Sequence, residues 1–199
     1  MTSTIDYYFA TISPYAYLGF ERFAAIAAKY HATVAVKPIN LGEVFPVSGG
    51  LPLSKRAPQR QAYRLVELQR WAKFLGKPMN IQPKFFPVNG DLAAYWILAA
   101  GELSNAQGMT LAGAVGRAIW EQERNIADPA TMETIAGEAG LSAAALGARA
   151  QAPEIAEKYA ALTHEAIALG VFGAPTYVVA GELFWGQDRL DFLDRKLAK

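Results

Sequence analysis

Ser13 stands where an apolar run ends and a helical pattern begins, in DYYFATISPYAYLGFERF. A serine followed by a proline is first of all a helix start, with a hydroxyl at the N-cap and proline at the first helical position. The same geometry can serve an anion. Unpaired backbone N–H groups and the positive end of the helix dipole gather there. A hydroxyl among them can donate a hydrogen bond to a thiolate and lower that thiol's pKa. The chain contains no cysteine, so the thiolate would belong to a bound molecule. Ser13 as a nucleophile in its own right would need a base. The two histidines, His31 and His164, fall at a strand approach and inside a helix, and nothing in their spacing sets either beside Ser13.

Three further stretches have chemical potential. Ala174-Pro175-Thr176 reads either as a proline entering an edge strand or as a cis X-Pro bond. The second form would offer the Ala174 N–H and C=O to an extended peptide. In Trp185-Gly186-Gln187-Asp188-Arg189, Asp188 reads as a first-turn acid of the last helix. It reads equally as a carboxylate for the ammonium of an amino acid whose carboxylate meets the helix terminus. Phe45 with Pro46, Trp71, and the pair Phe85 and Phe86 set between prolines are core residues or the walls of an aromatic site. Lys55, Arg56, Arg60 and Arg64 form the densest basic group, better suited to one small anion than to a polymer. No spacing suggests a metal centre, a phosphate loop or a Ser-His-Asp triad.

Those residues need elements to hold them. Residues 5–12 read as a buried strand, 14–31 as a helix and 33–38 as a second strand, together a right-handed parallel unit. Residues 41–58 carry proline and glycine repeatedly and read as an irregular loop around a short helical turn. Helical patterns follow at 59–75, 91–103, 111–122, 129–139, 142–150 and 153–168, with a proline-broken stretch at 78–89. The end returns to strands at 176–180 and 183–185, joined by a Gly181-Glu182 hairpin, and a closing helix to Leu197. A β-α-β start and a β-β-α finish make one sheet, which divides the chain into 1–40 with 170–199 and an inserted helical domain, 41–169.

Composition narrows the class. With 19 basic and 18 acidic residues the formal charge is +1, which gives no field to attract nucleic acid or an anionic membrane. Without cysteine, disulfides, thiolate metal sites and thiol redox chemistry by the protein itself are excluded. MTSTIDYYFA lacks the basic and apolar regions of a signal peptide, and no stretch reaches the roughly 18 apolar residues of a membrane span. A soluble cytoplasmic protein is expected.

The segments DYYFATISPYAYLG, AYRLVELQRW and GVFGAPTYVVAGELFWGQDRLDFL resemble 2-hydroxychromene-2-carboxylate isomerases. That group is thioredoxin-like and related to kappa-class glutathione transferases and bacterial disulfide oxidoreductases. The resemblance implies an α/β, thioredoxin-like fold with an inserted all-helical domain, glutathione as cofactor, and a homodimer. It puts the catalytic serine on Ser13 and the glutathione-binding residues on Ala174, Trp185, Gly186, Gln187 and Asp188. It puts the lining of the organic substrate on Phe45, Pro46, Phe85 and Phe86, with Lys55 and Arg60 as anion contacts and no metal. Relatives carry an asparagine in the loop matching SGGLPLSKR, where this chain has Leu51 or Ser54. The implied reaction is the glutathione-dependent cis–trans isomerisation of 2-hydroxychromene-2-carboxylate to trans-o-hydroxybenzylidenepyruvate, or of a similar small aromatic acid from naphthalene-like breakdown. A kappa-type glutathione transferase is the alternative, and a non-catalytic module that binds peptide or glutathione is the third reading.

Overall fold

The computed structural model describes residues 3–199. Among them, four strands form one sheet in the order β2-β1-β3-β4: β1 (Thr4–Phe9), β2 (Thr33–Pro38), β3 (Thr176–Val179) and β4 (Glu182–Trp185). β1 and β2 run parallel, joined through the helix α1 (Pro14–Lys29), while β3 is antiparallel to both β1 and β4. The pleat sorts the strand residues between two cores. Ile5, Tyr7 and Phe9 of β1 and Tyr177 and Val179 of β3 face α1, where Leu18 and Phe23 meet them. Tyr7 stacks on Phe9 with ring centroids 4.6 Å apart and on Tyr177 at 5.4 Å. Tyr8 and Val178 point the other way, into a smaller core with Val44 and Ala166.

Between β2 and β3 lie seven helices: α2 (Leu41–Ser48), α3 (Pro58–Leu75), α4 (Asp91–Leu103), α5 (Asn105–Trp120), α6 (Pro129–Glu138), α7 (Ala143–Ala150) and α8 (Pro153–Ala168). A last helix, α9 (Leu190–Leu197), closes the chain. Their starts are written locally. α1, α3, α6 and α8 each have proline at the first turn, and Ser13, Asn40, Ser104 and Asp128 accept a backbone N–H as side-chain caps. α2 and α8 cover the Tyr8 face of the sheet. The other helices share the large core with α1 and the Tyr7 face.

Three elements differ from the sequence expectations. β1 ends at Phe9, because the Ala10 carbonyl turns to accept the Ser13 N–H at 2.9 Å. Residues 41–48, expected to hold no more than a short helical turn within an irregular loop, form the eight-residue helix α2 even though Pro46 sits inside it. Asn40 caps its start, Gly49 at φ 76° ends it in a left-handed C-cap, and a helix this short loses a single bond to the proline. α5 begins at Asn105 under the Ser104 cap, six residues before its apolar pattern becomes evident. The glycines that blur that pattern permit close contact, since a Cβ at Gly113 would sit 2.5 Å from Phe20.

At the rim of the smaller core, Lys37 of β2 contacts Asp6 at 3.0 Å and Glu165 of α8 at 2.7 Å, and the Tyr8 hydroxyl donates to the same Glu165 carboxylate at 2.6 Å. Burial alone would raise the Glu165 pKa, yet the hydrogen bonds from Lys37 and Tyr8 hold it below its ordinary value. A lowered folded-state pKa stabilises the protein above the unfolded value, and that stabilisation disappears as the pH falls through the lowered one. Glu165→Gln is therefore expected to cost about 0.5–1 kcal/mol at neutral pH and to flatten the loss of stability toward acid. Urea midpoints measured from about pH 7 down to about pH 3 for both proteins check this. Parallel curves would assign the acid sensitivity elsewhere.

Candidate functional site

Ser13 caps α1 as its type suggests, and its surroundings leave its proton available. The Oγ accepts the Ala16 N–H at 3.2 Å, and its own hydrogen bond, to the Ala174 carbonyl, is long at 3.4 Å. Pro14 has no N–H, and the Tyr15 N–H has no acceptor among the described residues. A hydroxyl and a free amide thus stand together at the positive end of a sixteen-residue helix. Ser13 is buried to 8% exposure but opens into a cleft of about 710 Å³, a size suited to a small organic ligand.

The cleft lies between the strand-helix turn of Ser13, helix α2 with the loop after it, helix α3, and the approach to β3. Ile12, Pro14, Phe45 and Phe86 make much of it apolar. Ala174 and Trp185 line it as well, as do Arg60 and Arg64 of α3, with the Phe172 ring 4.8 Å from that of Trp185. The Ala174–Pro175 bond is cis. β3 is flanked by β1 and β4, so the proline enters an interior strand rather than an edge. Like the Tyr15 amide, the Ala174 N–H finds no acceptor among the described residues.

Five of the expected catalytic, cofactor and substrate residues line this cleft, Ser13, Phe45, Phe86, Ala174 and Trp185, together with Arg56, Arg60 and Arg64 of the basic group. Pro46 and Phe85 do not. Adjacent helical residues point about 100° apart, so with Phe45 in the cleft Pro46 is left exposed on the far side of α2. Phe86 turns inward against Trp120 at 5.0 Å, and Phe85 falls in a separate surface depression with Arg124 and Asp128. Of the two expected anion contacts Arg60 lines the cleft, while Lys55 is exposed and does not line it.

Gly186, Gln187 and Asp188 form the turn behind Trp185 and do not line the cleft. Gly186 donates to the Pro175 carbonyl at 2.9 Å, which ties this turn to the Ala174 segment. Asp188 is exposed and paired with Arg189 at 2.9 Å. The Gln187 side chain points inward at 1% exposure, where Arg22 of α1 donates to both its backbone carbonyl and its amide oxygen. Its amide oxygen and backbone carbonyl are therefore both engaged within the protein. Arg22 was not apparent as a functional residue. Its only signal is a basic side chain one turn on from Gly19 and next to Phe23, both of which face the core.

The site can hold an anion at Ser13, a backbone segment along Ala174, and a planar apolar body between Phe45, Phe86 and Trp185. The histidines contribute nothing: neither lines the cleft, and His164 instead lies 3.7 Å from Glu43.

Comparison with known proteins agrees with this architecture. The DSBA-like thioredoxin domain family matches residues 4–198. The 2-hydroxychromene-2-carboxylate isomerase of Sphingobium xenophagum is 30% identical over 198 residues, 99% of each chain. A solved structure of a 2-hydroxychromene-2-carboxylate isomerase superposes with a TM-score of 0.79 at 28% identity, covering 98% of this chain and 94% of that one. The human glutathione S-transferase kappa 1 is 24% identical, with 98% of this chain and 91% of the transferase covered. A cysteine-free thioredoxin-like fold with an inserted helical block, aligned end to end with these isomerases, belongs to the DSBA-like thioredoxin family and, within it, to the 2-hydroxychromene-2-carboxylate isomerase family.

Proposed function

We propose that the protein is a glutathione-dependent cis–trans isomerase that converts 2-hydroxychromene-2-carboxylate to trans-o-hydroxybenzylidenepyruvate, or acts on a closely similar aromatic acid. The observation that carries this reading is the Ser13 hydroxyl and the free Tyr15 amide, opening together into a largely apolar cleft in a chain without cysteine. These donors fit a sulfur anion, and the unpaired Ala174 N–H fits a peptide backbone, so the site suits glutathione. Bound there, glutathione would supply a thiolate that adds reversibly to an electron-poor double bond and so permits its rotation.

The chain's own residues do the rest. Ser13 donates a hydrogen bond that favours the charged form of the sulfur, and the dipole of α1 acts in the same sense. Phe45, Phe86 and Trp185 hold a planar acid and keep water from it. Arg22 acts at a distance by fixing Gln187, and through it the turn that carries Trp185. Gly186 and Asp188 would meet the γ-glutamyl end of the cofactor at the surface of that turn. The same reading carries a homodimer in the cytoplasm.

Spectrophotometric isomerisation of 2-hydroxychromene-2-carboxylate, with and without glutathione, is the test. Turnover that requires glutathione supports the proposal, and none under either condition defeats it. The kappa relative favours a second reading, transfer of glutathione to an electrophile. A stable conjugate among the products would select it.

A further inference from the structure

Three arginines line the cleft, none paired with a carboxylate among the described residues, and one of them is buried. Arg64, on α3, is 7% exposed, yet it forms no ion pair and donates no hydrogen bond among the described residues. Its nitrogens are not sealed in protein: the buried, partnerless side-chain nitrogens are Arg22 Nε and Trp120 Nε1, and Arg64 keeps its guanidinium open to the cleft. Glu67, one turn further along α3, accepts from the Tyr15 hydroxyl at 2.6 Å and is committed there. What Arg64 does face is the ring of Phe86, 5.2 Å from its centroid. Arg56 and Arg60 also line the cleft and add charge of the same sign. Burial holds the Arg64 pKa below that of an ordinary arginine; Tyr15 opposes this and Arg56 adds to it.

A desolvated charge without a partner destabilises a fold, and a second positive charge nearby makes matters worse. Both effects are relieved when an anion enters the cleft. The planar guanidinium fork matches the two oxygens of a carboxylate better than any other side chain does. An aromatic ring beside that fork gives a flat acid a surface for its hydrocarbon part.

We propose that Arg64 is the receptor for the carboxylate of the aromatic acid, with Phe86 as the surface for its ring system. This rests on reading the cleft as the site of an organic acid. The glycine carboxylate of glutathione offers the same chemistry, but Arg56 and Arg60 are more exposed than Arg64 and suit an anion held at the rim. Arg64 is the one cation of the three that is buried, and its aromatic neighbour is nearer, Phe86 at 5.2 Å against Phe45 at 6.0 Å from Arg56.

The test uses the intact protein, with Arg64→Gln and Arg64→Lys variants. 1-Naphthoate, its neutral amide 1-naphthamide, and glutathione are each titrated by calorimetry, and thermal unfolding is recorded for each protein. Arg64→Gln is expected to weaken naphthoate on the order of 10- to 100-fold and to leave naphthamide and glutathione within about twofold. Arg64→Lys should fall between, because it keeps the charge and loses the fork. The unfolding temperature of Arg64→Gln should not drop, since a buried unpaired charge has been removed. Failure of the wild type to bind naphthoate, or equal binding by Arg64→Gln, overturns the assignment. So does a selective loss of glutathione affinity, which would give Arg64 to the cofactor. If the wild type binds no glutathione but naphthoate still depends on Arg64, the cofactor reading fails and this one stands.

Discussion

Ser13→Ala is expected to lower kcat/KM at neutral pH by about 100-fold and to raise the pH at which bound glutathione ionises by about one to two units. The sign follows from which form the hydroxyl favours. In the proposed mechanism Ser13 donates to the charged sulfur, which would stabilise the thiolate over the thiol and lower the pKa, so its removal would move the pKa up. The deficit should therefore shrink as the pH is raised, once the thiol ionises without help. A second effect must be separated from this one. The same Oγ caps α1 by accepting the Ala16 N–H, so alanine also costs about 1 kcal/mol of helix stability. Ser13→Gly keeps most of the cap propensity without the hydroxyl, and Ser13→Thr keeps both functions. If the hydroxyl acts on the thiolate, glycine should behave like alanine in the pH titration and threonine like serine. An ultraviolet titration of bound glutathione that is identical in all four proteins would remove Ser13 from the chemistry.

The parts of this site that could be read from the sequence are those encoded within a few residues. Ser13-Pro14 announces a capped helix whatever lies around it, and the structure has that cap. The proline starts of α3, α6 and α8 are legible for the same reason. Glycine and proline counts misled at residues 41–48, because the two residues that make α2 possible lie just outside it: Asn40 at one end and Gly49 at the other. The proline before strand β3 was compatible with an edge strand or with a cis bond, and its residues alone did not decide between them. The interior place of β3 depends on β1 and β4, one of them some 170 residues away in the chain.

Side-chain direction was the harder quantity. Phe45 and Phe86 reach the cleft while their neighbours Pro46 and Phe85 do not, a distinction between adjacent residues that composition cannot make. Gln187 was expected at the ligand and is turned inward by Arg22, 165 positions earlier. Arg64 belonged to a visible basic group, yet only the fold separates it from Lys55, which is exposed, by burying it in the cleft wall. For Phe86, Gln187 and Arg64 the neighbouring side chain comes from elsewhere in the chain, and no local pattern carries it.

Gly186→Ala is expected to reduce stability by about 1–3 kcal/mol and to weaken glutathione binding by at least about tenfold. Gly186 adopts φ 98° and ψ 146°, a combination that side chains avoid. A Cβ there would also collide with the Asp188 carboxylate and stand 3.0 Å from Arg189 Nη1. The chain must respond by rotating, and two anchors limit the rotation. On one side the Gly186 N–H is bonded to Pro175, and on the other Arg22 grips Gln187. Releasing the first shifts the segment of Ala174; releasing the second shifts Trp185, and both residues line the cleft. The loss of binding should therefore accompany the loss of stability. Adding Asp188→Ala removes the collision and leaves the backbone strain, so the double variant should recover little stability. Thermal unfolding and calorimetric titration of the single and double variants measure both quantities. Full recovery of stability would mean that only the side-chain collision mattered, and unchanged glutathione affinity in a destabilised Gly186→Ala would detach this turn from the binding site.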